Sequence, residues 1–103
     1  MLKFTVIVGL NDKDTKKQEI TTETAINTIV TVLKNNTVEG ATLTEAKGLY
    51  IHEDGTAVFE NSIKIELLFI TEETAKNICK DLKKELNQET VVLEITELNS
   101  NLI

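Results

Sequence analysis

The sequence contains no arginine, no tryptophan and no proline, and only one cysteine, one histidine and one tyrosine among 103 residues. Each scarcity excludes something. Arginine supplies the two-pronged donor that grips phosphates and guanine edges. Its absence, together with a net charge of −6 and a pI near 4.8, argues against nucleic acid and against an anionic membrane surface as partners. A lone cysteine, Cys79, cannot form an internal disulfide, which points to a reducing compartment and a cytoplasmic protein. No apolar run approaches the ~18 residues of a membrane span. The opening Met1–Val8 alternates in the manner of a strand, and no small-residue cleavage site follows it, as a signal peptide would require. Apolar residues make up 41% of the chain, enough for a core, and the length suits a single domain spanning 1–103.

What is present is an internal echo. Ile20-Thr-Thr-Glu-Thr-Ala25 returns as Ile70-Thr-Glu-Glu-Thr-Ala75, 50 residues later. Thr21 and Thr71 read as N-caps whose hydroxyls accept from free backbone N–H groups, with Glu23 and Glu73 in the first turn where the helix dipole favours them. The helices predicted behind them run from Thr22 to Asn35 and from Glu72 to Asn87. Ala25, Ile26, Ile29, Val30 and Leu33 line the apolar face of the first; Ala75, Ile78, Cys79, Leu82 and Leu86 line that of the second. Cys79 therefore reads as a small packing residue rather than a nucleophile.

Strands are expected at Lys3–Leu10, Ala41–His52, Thr56–Phe69 and Thr90–Leu98, with Phe4, Val6 and Val8 and then Ile63, Ile65, Leu67 and Phe69 turned to the core. Asp54-Gly55 signals a two-residue hairpin pairing Tyr50 with Phe59 and His52 with Ala57, with a bulge where Gly48 meets Asn61. The order β-α-β-β-α-β resembles the ferredoxin-like superfold over the whole chain. The resemblance implies an α+β sandwich: a four-stranded antiparallel sheet with both helices on one face. Val8-Gly-Leu-Asn-Asp-Lys-Asp14 and Tyr50-Ile-His-Glu-Asp-Gly55 are in addition similar to small proteins of phages and mobile elements in low-GC bacteria. That resemblance carries no activity with it.

Candidate sites are few. The connector Asn11–Glu19 holds Asp12 and Asp14 near Glu23, but Lys16 and Lys17 stand where a calcium loop needs an oxygen ligand and a glycine. No metal or cofactor is expected. Free N–H groups after Gly9 and at the first helix form a conceivable small-ligand site of Gly9, Asn11, Asp12, Asp14, Thr21 and Thr22. The ferredoxin-like resemblance suggests for it a regulatory domain of the ACT type, although that family's proline-glycine turn is missing. His52 and Glu53 are strand neighbours and point to opposite faces, so they read as a polar hairpin tip. The open sheet face is expected to carry Lys3, Thr5, Ile7, Lys64, Glu66, Leu68, Val92 and Glu94. It lacks the aromatics an RNA-binding sheet needs. Apolar residues interleaved with both charges there suit self-association. With so few catalytic residue types, no catalytic residue is assigned. The expectation is a non-enzymatic protein-interaction module, phage-borne, dimerising through that face and binding another protein, with the ACT-like ligand domain as the alternative.

Overall fold

The computed structural model describes Met1–Ile103 and contains β1 (Leu2–Gly9), α1 (Thr22–Asn35), β2 (Thr42–Ile51), β3 (Ala57–Leu68), α2 (Glu72–Glu85) and β4 (Val92–Glu97). The strands form one antiparallel sheet in the order β2-β3-β1-β4. This is the ferredoxin-like α+β layout.

Strand alternation decides which side is covered. Phe4, Val6, Val8, Ile63, Ile65 and Leu67 point to one face and are fully buried beneath Ala25, Ile29, Leu33, Ala75, Ile78 and Leu82 of the helices. Both helices begin as the repeat predicts. The Thr21 hydroxyl accepts from the Thr24 backbone N–H at 3.1 Å, and Thr71 accepts from Thr74 at the same distance. Both also end alike. At α1, Val38 N–H reaches Leu33 C=O and Thr37 N–H reaches Lys34 C=O; at α2, Gln88 reaches Lys83 and Asn87 reaches Lys84. The residue after each helical cap, Thr37 or Asn87, takes a left-handed φ of 57° or 48°, the geometry of a Schellman stop.

Three expectations are corrected. The hairpin register is shifted by one, pairing Tyr50 with Val58, Leu49 with Phe59 and Gly48 with Glu60. The loop closes through Gly55 N–H to His52 C=O and His52 N–H to Thr56 C=O, with Gly55 at φ 86°. A left-handed glycine ending a longer loop, rather than a two-residue turn, therefore sets the register. No bulge is needed at Gly48. Phe69 leaves the core face because its φ of 61° turns the chain sharply into the short link to α2, leaving the ring 57% exposed. Finally, α2 ends at Glu85, two residues before Asn87, because Asn87 belongs to the stop signal.

The β2–β3 hairpin continues beyond the helices, so Leu49, Ile51 and Phe59 stay exposed although they share the parity of the core face. Cys79 is half-buried beside the core, and burial raises its thiol pKa. No helix is long and apolar enough to cross a membrane.

Candidate functional site

Where β1 ends at Gly9 and the hairpin runs past it, the open face of the sheet sinks into a cleft of about 760 Å³. Glu60 and Ser62 of β3, Gly9 and Gly48 meet there, with Tyr50, His52 and Val58 contributed by the hairpin. The loop after β1 adds Asn11, Asp12, Lys13 and Lys16, and the chain entering β4 adds Gln88, Glu89, Thr90 and Val92.

Glu60 is the unusual member. Even-numbered residues of β3 face away from the helices, yet Glu60 is only 8% exposed. A buried carboxylate needs donors. Its Oε2 accepts from the Asn11 backbone N–H at 2.9 Å. Space for it comes from Gly9, where an added Cβ would lie 2.5 Å from Glu60 Cδ and Oε1. Tyr50 lies diagonally across the strand pair on the same face, two residue pairs further along the hairpin. The charge of Glu60 raises the Tyr50 phenol above its ordinary value, helped by partial burial and by hydrogen bonding to that carboxylate. The phenol is thus a protonated donor at physiological pH beside the Glu60 carboxylate.

The wall contributed by the loop is tied down by the end of α2. Asn87 Nδ2 donates to Asp12 Oδ2 at 2.8 Å and to Asp14 Oδ2 at 3.0 Å, and Lys13 N–H donates to Asn87 C=O. The Asn87 contact, ahead of backbone N–H groups of Asp14 and Thr15, holds the Asp12 carboxyl below its usual range. Asn61 Nδ2 of β3 donates to Gln18 Oε1 of the same loop at 2.7 Å.

Of the residues expected around a small ligand, Gly9, Asn11 and Asp12 line the cleft, whereas Asp14, Thr21 and Thr22 do not. Asp14 is engaged by Asn87, Thr21 caps α1, and Thr22 accepts from Gln18. Of the open-face set, Ile7 and Val92 line the cleft. Lys3 and Glu66 form a 3.2 Å ion pair with one another, while Thr5 is buried. Lys64 and Leu68 are half-buried, and Glu94 is exposed. Tyr50, Glu60 and Gln88 were not singled out as site residues. The sequence offers no signal for Glu60, which falls on the same strand face as Lys64 and Glu66, where the alternation of β3 already places charge.

The fold and cleft define a ferredoxin-like sheet with a ligand-sized recess at one end of its open face. No protein-family model and no curated protein sequence matches the chain. Among solved structures it is similar to a phage SAM lyase in complex with S-methyl-5'-thioadenosine. That similarity has a TM-score of 0.72 and 25% identity, over 93% of this chain and 80% of that one. The apo state of a phage SAM lyase matches with TM-score 0.69 and 24% identity over 92% and 78% of the chains. CutA1 from Pyrococcus horikoshii shares the fold at TM-score 0.60 and 16% identity, over 99% and 87%.

The likeness to an enzyme overturns the expectation of a non-enzymatic protein-interaction module, and with it the ACT-like alternative. That expectation weighed catalysis by its commonest residue types, histidine, cysteine and arginine. It missed the buried carboxylate because Glu60 and the glycine that makes room for it are 51 residues apart in sequence.

Proposed function

We propose that this chain, as one domain over residues 1–103, is a phage-borne lyase of S-adenosylmethionine acting in the cytoplasm, with the reaction housed in the Glu60–Tyr50 cleft. The observation that supports it most is the buried Glu60 carboxylate at the foot of a recess, in a chain with the fold of a SAM lyase. The substrate is a sulfonium that is already activated, so its sulfur leaves as a neutral thioether. Such a reaction asks for no nucleophilic side chain and no metal, which fits a chain with so few of the usual catalytic residues.

Release of S-methyl-5'-thioadenosine means that the bond between sulfur and the γ-carbon of the methionine moiety breaks, with its electron pair passing to sulfur. A lyase does this without water. The substrate's own carboxylate can attack the γ-carbon, closing a five-membered lactone; one C–O bond forms, one C–S bond breaks, and no proton moves. Glu60 is suited to hold the α-ammonium group, whose charge persists through the reaction. A carboxylate placed on the sulfonium would instead stabilise the charge that is lost, favouring the ground state. Anchoring the ammonium bends the carboxylate back toward the γ-carbon, which is catalysis by orientation. Tyr50, protonated and amphipathic, offers a ring face and a donor to the bound nucleoside.

Incubation with S-adenosylmethionine and chromatography of the products tests the reading. The expected result is S-methyl-5'-thioadenosine and an equal amount of homoserine lactone, with formation reduced roughly 100-fold in Glu60→Gln, the scale of losing one electrostatic contact. An unsaturated amino acid in place of the lactone would replace cyclisation with β-elimination. No thioadenosine above the protein-free rate would refute the proposal.

A further inference from the structure

The two helices end in the same way, but the residues that follow their stop signals differ in kind. Val38, two residues beyond the C-cap Asn36, packs against the core as the motif usually requires. Gln88, two residues beyond the C-cap Leu86 and 50 positions after Val38, is an amide that is only 7% exposed. A buried amide at a place built for an apolar contact must satisfy its donors. Gln88 Nε2 donates to Asn11 C=O at 2.7 Å and to Leu86 C=O at 3.1 Å. Asn11 in turn presents its N–H to Glu60 Oε2 at 2.9 Å. The chain of contacts therefore runs from the end of α2, through one loop residue, to the buried carboxylate.

We infer that Gln88 is a positioning residue: by fixing Asn11 it aims the N–H that holds Glu60 in the cleft. Leucine or valine at this position would complete the stop signal equally well but would leave the Asn11 carbonyl free to turn. The neighbouring Asn87 contacts secure Asp12 and Asp14, further along the loop, and do not touch Asn11. The consequence for turnover rests on the lyase reading; the placement of Glu60 does not.

The test uses the only tyrosine of a chain without tryptophan as reporter, so phenol ionisation is read without interference. In Gln88→Met, which keeps the volume and loses the donors, the Asn11 amide proton is expected to shift upfield. The Tyr50 titration midpoint is expected to fall, in the direction in which Glu60→Gln moves it. Gln88→Val, carrying the residue of the first half, gives a second reading with the same expectation should the methionine variant fold poorly. If both variants lower the melting temperature but leave the Asn11 amide and the Tyr50 midpoint unmoved, Gln88 merely fills space and the inference is overturned. Both signals are read without substrate, so they stand even if wild-type protein releases no thioadenosine. Where it does release it, the variants should be roughly 10- to 100-fold slower, as expected for a misplaced orienting group.

Discussion

The carboxylate of Glu60 lies over Gly9, so closely that a methyl group there would come within 2.5 Å of both Cδ and Oε1. The obstructing atoms are the end of a flexible side chain, so the strain in Gly9→Ala is relieved by Glu60 swinging out, with the backbone left in place. The melting temperature should fall by no more than a few degrees, below the ~1–3 kcal/mol of a rigid overpacked site. Thioadenosine release should drop as in Glu60→Gln. An alanine variant with full activity and an unchanged Tyr50 titration would show that the carboxylate is not held where it matters.

Tyr50 makes the site sensitive to alkali in a predictable direction. The folded phenol has a raised pKa, while the unfolded one titrates near 10. Above that value the unfolded state loses its proton first, so stability contributed at Tyr50 is complete below pH ~10 and is lost as pH rises through the folded value. Melting curves across this range should fall more steeply for the wild type than for Glu60→Gln. Equal slopes would dissociate the phenol from the carboxylate.

At the acid end the relevant pair is Asp12 and Asn87. The Asp12 carboxyl is held below its ordinary 3.8, so its contribution is present above that value and disappears as pH falls through the lower folded value. Asn87→Gly keeps the left-handed backbone and removes the first cause of the shift. Melting temperatures of the two proteins should differ at neutral pH and converge under acid. A constant gap across the range would assign the effect of Asn87 to the turn alone.

The duplicated caps give a stability test with an internal replicate. Thr21→Ala and Thr71→Ala each remove the acceptor of one first-turn N–H group, at a cost of about 1 kcal/mol. For a chain of this length that amounts to roughly 4–8 °C in melting temperature. Two losses of similar size would confirm that the repeated hexapeptides do the same work.

Those caps were the most readable part of the chain, because capping and the 3.6-residue period are local. Thr22 and Asn35 bound α1 where the pattern places them, and the alternation of β1 separates covered from open face correctly. The hairpin register was misread by one residue because the dihedral angle of Gly55, which the dipeptide Asp54-Gly55 leaves open, selects between loop lengths. The cleft was illegible for a different reason. Its parts come from Gly9, Glu60 and Gln88, and what joins them is clearance and a backbone hydrogen bond, which leave no spacing or period in the sequence. The open-face reading placed Ile7 and Val92 on the right side of the sheet, without revealing that one end of that side is hollow.

The halves of this fold are unequal in one respect. The connection from β1 to α1 takes the twelve residues Leu10–Thr21, whereas β3 reaches α2 through the three residues Phe69–Thr71. Only the longer connection has enough chain to raise a wall beside the sheet; the shorter one is spent on turning. The near-twofold repetition of the elements therefore does not extend to occupancy. A calorimetric titration with thioadenosine should saturate at one molecule per chain, with no second, weaker step from the opposite end of the sheet.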